Sequence, residues 1–241
     1  ILTGNFSAGT RISLYDAIQL MIVHSDNTAT NLVIDQVGLD ATAKFMDELG
    51  LPETKLHSKV FRRDTSIFPE RSKRFGLGST TAGEMVRLLE QLHAGNLVSQ
   101  DTCGKMMAHL LACKDRNKLP RNLPEGVKIA HKSGAVSTVR TDTGIIHSPT
   151  GPFAICVLTA ENEDHSWGDS NEGELLCGEI ALAAYQHFNP DGTTLEPTLA
   201  RVLKLGSDGP LVMALQRTLN ARLDPSPELG VDGDFGPMTQ G

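Results

Sequence analysis

The sequence predicts an α+β domain followed by a linker and a small helical unit. Three observations carry this. Helix-start signals and helical apolar spacing fill the first half of the chain. Strand-like runs separated by a short turn occupy the region from 127 to 159. An amphipathic stretch at 172–188 then closes the unit, an order that lacks the strict β–α alternation of a parallel sheet.

Each element has a local reason. Ser13-Leu14-Tyr15-Asp16 reads as a capping-box variant, with Asp at the third helical position, opening a helix that carries Ile18, Leu20, Met21 and Ile22. After the polar break Ser25-Asp26-Asn27, a second helix is expected over about 28–36, stopped by Gly38. Thr81-Ala82-Gly83-Glu84 is a second box. Its helix has Met85, Leu88, Leu89 and Leu92 on one face and Gly95 beyond its end. A fourth helix is expected over about 101–112. Val127-Lys128-Ile129-Ala130-His131 alternates as a half-buried strand. Runs at 143–147 and 153–159 flank the turn formers Ser148-Pro149-Thr150-Gly151-Pro152, and so short a connection makes them antiparallel neighbours.

Beyond the first domain, 1–188, residues 189–198 read as a linker on their Pro, Gly and Thr content. In 199–241, Leu211, Leu215 and Leu219 lie at helical spacing, and Asp232-Gly233-Asp234-Phe235-Gly236 is a turn. A piece of ~40 residues buries little core, so this unit is expected to be a module cut short.

Composition narrows the function. Hydrophobic residues at 39% and charged residues at 21% describe a folded globular protein. The 22 basic and 29 acidic residues give −7, without the clustered cations that phosphate contacts need, so nucleic acid is not an expected partner. The densest basic stretches, Lys59-Val60-Phe61-Arg62-Arg63 and Arg71-Ser72-Lys73-Arg74, are short and read as solvated loop. No run approaches the ~20 apolar residues of a membrane span. The opening Ile1-Leu2-Thr3-Gly4 shows no signal peptide in this chain. Cys103 and Cys113 share one expected helix, where ten residues set them ~15 Å apart, beyond the ~7 Å a disulfide tolerates. Cys156 and Cys177 read as core thiols, which leaves the redox compartment undecided. The eight histidines show no ligand spacing, so neither a metal nor a cofactor is expected.

Two triplets carry the chemistry. Ser25-Asp26-Asn27 falls at a helix–helix junction, and Lys132-Ser133-Gly134 ends a strand 105 positions later. Alone, the first is a good N-cap cluster and the second an ordinary strand end. Together and in order, they resemble the Ser-Asp-Asn and Lys-Thr-Gly signature of class A β-lactamases and penicillin-binding proteins, with Ser for Thr keeping the hydroxyl. Stretches 11–38, 79–95, 123–146 and 153–188 are similar to that family's helices and strands, so the resemblance covers about 1–188. It implies a β-lactamase-like architecture: an antiparallel sheet flanked by helices, an all-helical lobe beside it, and the site between them. It also implies an active-site-serine hydrolase that acts on β-lactams by acylation and deacylation.

Acyl transfer from a strained lactam or a D-Ala-D-Ala peptide needs a nucleophile, a proton route to the leaving nitrogen, an oxyanion site and a carboxylate anchor. By resemblance, Ser25 relays the proton and Lys132 assists by its positive field. Asn27 holds the substrate's side-chain amide, and Ser133 hydrogen-bonds its carboxylate. Gly134 permits close backbone approach, and the Ala135 N–H is one oxyanion donor.

The sequence departs from the family twice. No serine here has lysine at the third following position, since Ser58-Lys59 and Ser72-Lys73 are adjacent pairs. The family's Ser-x-x-Lys helix would precede Ile1, so the fold is expected to be incomplete at its N-terminus with a sheet edge unpaired. Whether this chain is itself an enzyme therefore stays open. Second, the loop before the Thr81 helix carries Glu70 without the family's Leu-Asn partner. Glu70 is the candidate base for deacylation; its other reading is a loop carboxylate. Without a placed base an acyl-enzyme persists, so a DD-peptidase-type peptidoglycan hydrolase stands as an alternative. A non-catalytic wall-binding protein retaining the fold is a third.

The tail bears on location. Leu-Gly-Ser-x-Gly at 205–209, Leu215-Gln216 and Asp-Gly-x-Phe-Gly at 232–236 are similar, in order, to the start of the peptidoglycan-binding module of cell-wall hydrolases. That resemblance implies peptidoglycan as a partner and a periplasmic or cell-envelope setting.

Overall fold

The computed structural model describes residues 1–190, 205–222 and 225–240. Its first lobe is helical: α1 (Leu2–Asn5), α2 (Leu14–Val23), α3 (Asn27–Val37) and α4 (Leu39–Glu48). Ser13 caps α2 by accepting the Asp16 N–H at 3.1 Å, and its hydroxyl donates to the Asp16 carboxylate at 2.6 Å. Asp26 caps α3 through the Ala29 N–H at 2.8 Å. Gly38, at φ 85°, stops α3 as expected, yet the same residue is the N-cap of α4. That helix has no sequence signal because its cap offers no side chain.

A short ribbon follows, with β1 (Lys55–Leu56) antiparallel to β2 (Gly78–Ser79) and α5 (Pro69–Phe75) between them. The stretch 68–78, read as loop, is thus partly helical, started by Pro69 in its first turn. Next come α6 (Ala82–His93) and α7 (Gln100–Leu111). Thr81 caps α6 by accepting the Glu84 N–H at 3.2 Å. The reciprocal half of the box is not made, because the buried Glu84 carboxylate accepts from the Glu53 N–H and the Thr54 hydroxyl instead.

The main sheet has strand order β3-β4-β5, all antiparallel: β3 (Lys128–Val136), β4 (Val139–Ser148) and β5 (Gly151–Thr159). Among the described residues β3 and β5 are its outer strands. Lys132-Ser133-Gly134 lies inside β3 rather than at its end, paired with Thr143, Asp142 and Thr141. The tight turn into β4 brings polar residues into the ladder that apolar alternation alone leaves out.

The pleat sends alternate residues to opposite faces. Ile129, Ile146 and Val157 pack with Leu119 against Cys177, Ala181 and Tyr185 of α8 (Glu172–Phe188). On the other face Ile145 and Ala154 meet Leu89 and Leu92 of α6 and Cys103 of α7. Fully burying a large aliphatic side chain contributes about 1.5–3 kcal/mol, so these two layers hold the sheet in place. All four cysteines are free thiols. Among the described residues no helix is long and apolar enough to cross a membrane, and no group of His, Cys, Asp and Glu is arranged to hold a metal ion.

Gly144 is fixed by close approach. A Cβ there would lie 2.6 Å from both the Ala130 carbonyl oxygen and His131 Cβ across the ladder. Neither can swing away, so Gly144→Ala is expected to lower stability by about 1–3 kcal/mol. Urea unfolding of parent and variant checks this, and an unchanged midpoint would refute it.

Of the expected linker, residues 191–198 lie outside the described residues. In the terminal unit, α9 (Pro210–Arg222) and α10 (Pro237–Gln240) bracket the Asp232–Gly236 turn. The buried Gln216 side chain binds this turn. Its amide donates to Asp232 Oδ1 at 2.8 Å, the Asp234 carbonyl at 3.0 Å and Thr239 Oγ1 at 3.2 Å, while its oxygen accepts the Gly233 N–H at 3.1 Å. Val212, Leu229 and Phe235 are buried around it. Leu215 and Leu219 are only half-buried, so the inward face of α9 is offset from the leucine stripe.

Candidate active site

The α2–α3 junction and the middle of β3 meet across an open cleft of about 770 Å³. Asp26, the middle residue of its triplet, is structural. One oxygen caps α3, and the other accepts from the Ile1 and Leu2 backbone nitrogens at 2.6 and 2.9 Å. With Asp26 tied inward, Ser25 and Asn27 line the cleft. Ser25 takes φ 53°, a left-handed conformation uncommon outside glycine. The Lys114 N–H donates to the Val23 carbonyl at 3.1 Å, fastening the end of α2 to the segment after α7.

From β3 come Lys132, Ser133, Gly134 and Ala135, all lining the same cleft. Lys132 Nζ donates to Ser25 Oγ at 3.0 Å and to the Ser133 carbonyl at 2.5 Å. Burial pushes the Lys132 pKa below the usual lysine range, although Cys113, Asp142 and Asp115 favour its charged form. The Ser133 hydroxyl donates to Asp115 Oδ2 at 2.5 Å. A hydroxyl has one proton, so Ser133 can hold Asp115 or a ligand's carboxylate, but not both. A Cβ at Gly134 would sit 2.8 Å from Thr141 Oγ1, so this glycine is also required by its neighbouring strand.

Glu70 is not brought to these residues. Its side chain is 84% exposed on α5 and pairs with Lys73 at 2.6 Å, outside the cleft. A seven-residue helix that begins at Pro69 turns this position to solvent, where a loop reading had left it free to reach the site. Phe61 lines the cleft instead, at φ 59° and 88% exposed. Asp115 is the one carboxylate among the described lining residues.

Behind β3 lies a buried charge network that the sequence did not reveal. Lys118, 3% exposed, reaches Asp115 at 2.9 Å and Glu174 at 3.4 Å. Arg140 is fully buried, with Nε 3.5 Å from Glu174 and Nη groups donating to the Val136, Val139 and Ser166 carbonyls. Burial alone would raise the Asp115 carboxyl, but bonds from Lys118, Ser133 and the Asn117 N–H hold it at about 2. Asp115 is therefore an anion at neutral pH. It competes with any incoming carboxylate for Ser133.

Comparison with known proteins places this arrangement. Residues 1–188 match the model described as the Beta-lactamase enzyme family. Beta-lactamase CARB-4 of Pseudomonas aeruginosa is 28% identical over 184 residues, 73% of this chain and 61% of its own length. Extended-spectrum beta-lactamase PER-1 of the same organism is 26% identical over 185 residues, 73% of this chain and 57% of its own. The chain thus spans about three fifths of the length of these relatives. Among solved structures, the beta-lactamase from Sphaerobacter thermophilus DSM 20745 superposes with a TM-score of 0.66 at 30% identity, covering 77% of this chain and 67% of that one. PBP-A superposes at 0.67 with 21% identity over 79% and 66%, a likeness of fold alone.

Proposed function

The chain belongs to the beta-lactamase enzyme family over residues 1–188, and from that premise we propose that it supplies the proton-relay and carboxylate-binding side of an acyl-transfer site for β-lactams. The observation that carries the reading is the Lys132–Ser25 hydrogen bond across the cleft. When a nucleophile opens the lactam, the departing nitrogen needs a proton and the carbonyl oxygen needs donors. Ser25 passes the proton while Lys132 stabilises the charge that builds during transfer. Ser133 turns from Asp115 to the substrate carboxylate, Asn27 holds the side-chain amide, and the Ala135 N–H faces the oxyanion. No assignment covers the attacking hydroxyl, because no serine of the 241 has lysine at the third following position.

A second reading, a DD-peptidase-type hydrolase of D-Ala-D-Ala peptides, is favoured by the position of Glu70. With that carboxylate on the open face of α5, and Asp115 engaged by Lys118 and Ser133, no carboxylate among the described cleft-lining residues stands ready to activate a deacylating water. Residues 199–241 are assigned to peptidoglycan contact, with 189–198 as linker, in a periplasmic or envelope setting. Support for this comes from the Asp232–Gly236 turn held on Gln216.

Mass spectrometry of a benzylpenicillin adduct over time, on the 241-residue chain and on any longer product of the same gene, tests both readings. An adduct that forms and clears within seconds supports hydrolysis of β-lactams. One that persists for hours supports the peptidase reading. No adduct on any product would leave a wall-binding protein that retains the fold and overturn both.

A further inference from the structure

Asp115 occupies the partner that a ligand's carboxylate would need. Its Oδ2 accepts the Ser133 hydroxyl proton at 2.5 Å, at the wall of the cleft. Two further donors fix it there. Lys118 Nζ reaches the same oxygen at 2.9 Å, and the Asn117 N–H reaches Oδ1 at 2.9 Å. Lys118 is buried and also meets Glu174 at 3.4 Å, so the cation that holds Asp115 is itself held. The Asp115 side chain is 25% exposed and still presents a surface to the cleft. Among the described residues, these three donors fill most of the roughly four acceptor sites of a carboxylate and leave room for one more.

We propose that Asp115 is a specificity-determining residue, which makes the cleft select a carboxamide over a free carboxylate at the carboxyl end of its substrate. The proposal rests on the reading that Ser133 faces that end.

A free carboxylate meets a cost at each step. To receive it, the Ser133 hydroxyl must leave a short bond to an ion, the stronger kind of hydrogen bond. Asp115 then has one donor fewer and a second anion beside it. It does not escape by taking up a proton, because its neighbours hold the carboxyl at about 2. The nearby cations offset little of this. Lys118 is shared between Asp115 and Glu174. Lys132 spends two of its three N–H groups on Ser25 and the Ser133 carbonyl. Lys114 is exposed, where solvent and salt screen it.

A carboxamide avoids the cost. Ser133 keeps its bond to Asp115, the amide NH2 donates to the remaining acceptor site of Asp115, and the amide carbonyl accepts the third N–H of Lys132. One carboxylate thus repels the wrong ligand and attracts the right one, the two halves of specificity.

The test titrates the folded 241-residue chain with benzylpenicillin and with its primary amide by calorimetry, in the parent and in Asp115→Asn. The parent is expected to bind the amide at least about tenfold more tightly than the free acid, since like charges brought together are strongly disfavoured. In Asp115→Asn a neutral group of the same shape replaces the ion, and the preference should vanish or reverse. Equal affinities in the parent, or a preference for the amide that survives Asp115→Asn, overturn the proposal. A merely structural role for Asp115 would weaken both ligands alike and leave their ratio unchanged. If the variant does not fold, the ratio in the parent decides. Failure of the underlying reading looks different: binding of neither ligand, or a Ser133→Ala variant that binds both as the parent does, removes the carboxyl end from Ser133 and the proposal with it.

Discussion

Replacing Glu174 by alanine is expected to destabilise the sheet and α8 by about 3–5 kcal/mol, the penalty for leaving buried charges without a counterion. Lys118 and Arg140 both reach Oε1 of this carboxylate, at 3.4 and 3.5 Å, and both are buried. Asp115 would still serve Lys118, but Arg140 would keep only carbonyl partners and the face of Trp167. Glu174→Gln should be milder, because the amide oxygen can keep the Oε1 position facing both cations while its NH2 takes the place of the buried, unpartnered Oε2. Urea unfolding followed by circular dichroism measures both variants. A loss below about 1 kcal/mol for the alanine variant would mean that water reaches the network and screens it.

The second large effect falls on chemistry. Lys132→Ala should slow acylation by β-lactams about 10²–10³-fold, comparable to removing one preorganised stabilising group from an acyl-transfer site. The ammonium both orients Ser25, at 3.0 Å, and supplies positive field where the leaving nitrogen is protonated. The sign with pH follows from burial, which lowers the Lys132 pKa. Its charge, and the rate it supports, are present at low pH and lost on raising the pH sooner than for a solvated lysine. Adduct formation by whichever product of the gene acylates is the measurement, as a rate against benzylpenicillin concentration. Parent-like acylation in the variant would remove Lys132 from the site.

How much of this was legible in the sequence depends on whether a feature is local. Ser13 and Thr81 are local signals, and α2 and α6 begin where they predict. Helix α8 spans 172–188 as its amphipathic pattern indicates. The two triplets are also local, and the cleft brings Ser25, Asn27, Lys132 and Ser133 together. Helices without a capping side chain escaped. Gly38 reads as a stop although it also starts α4, and Phe68 gives no hint of α5. Glu70 was placed by sequence neighbourhood, and α5 holds it exposed and outside the cleft. Asp115, Arg140 and Glu174 were invisible for a different reason. They are spread from the segment after α7 to β4 and α8, and only tertiary packing makes them neighbours. A carboxylate acting on Ser133 from 18 positions away has no periodicity to betray it.

The stacking of Trp167 on Arg140, with the guanidinium carbon 4.8 Å from the ring centroid, has an optical consequence. Trp167 is the one tryptophan of the chain, and it lines the cleft while remaining 69% exposed. All indole emission therefore comes from a single fluorophore, whose excited state sees a cation on one face and the cleft's solvent on the other. A molecule entering the cleft, or a change in charge around Arg140, perturbs that emission without any introduced label. With only two tyrosines as energy donors, the spectrum reads the local state of one wall of the site.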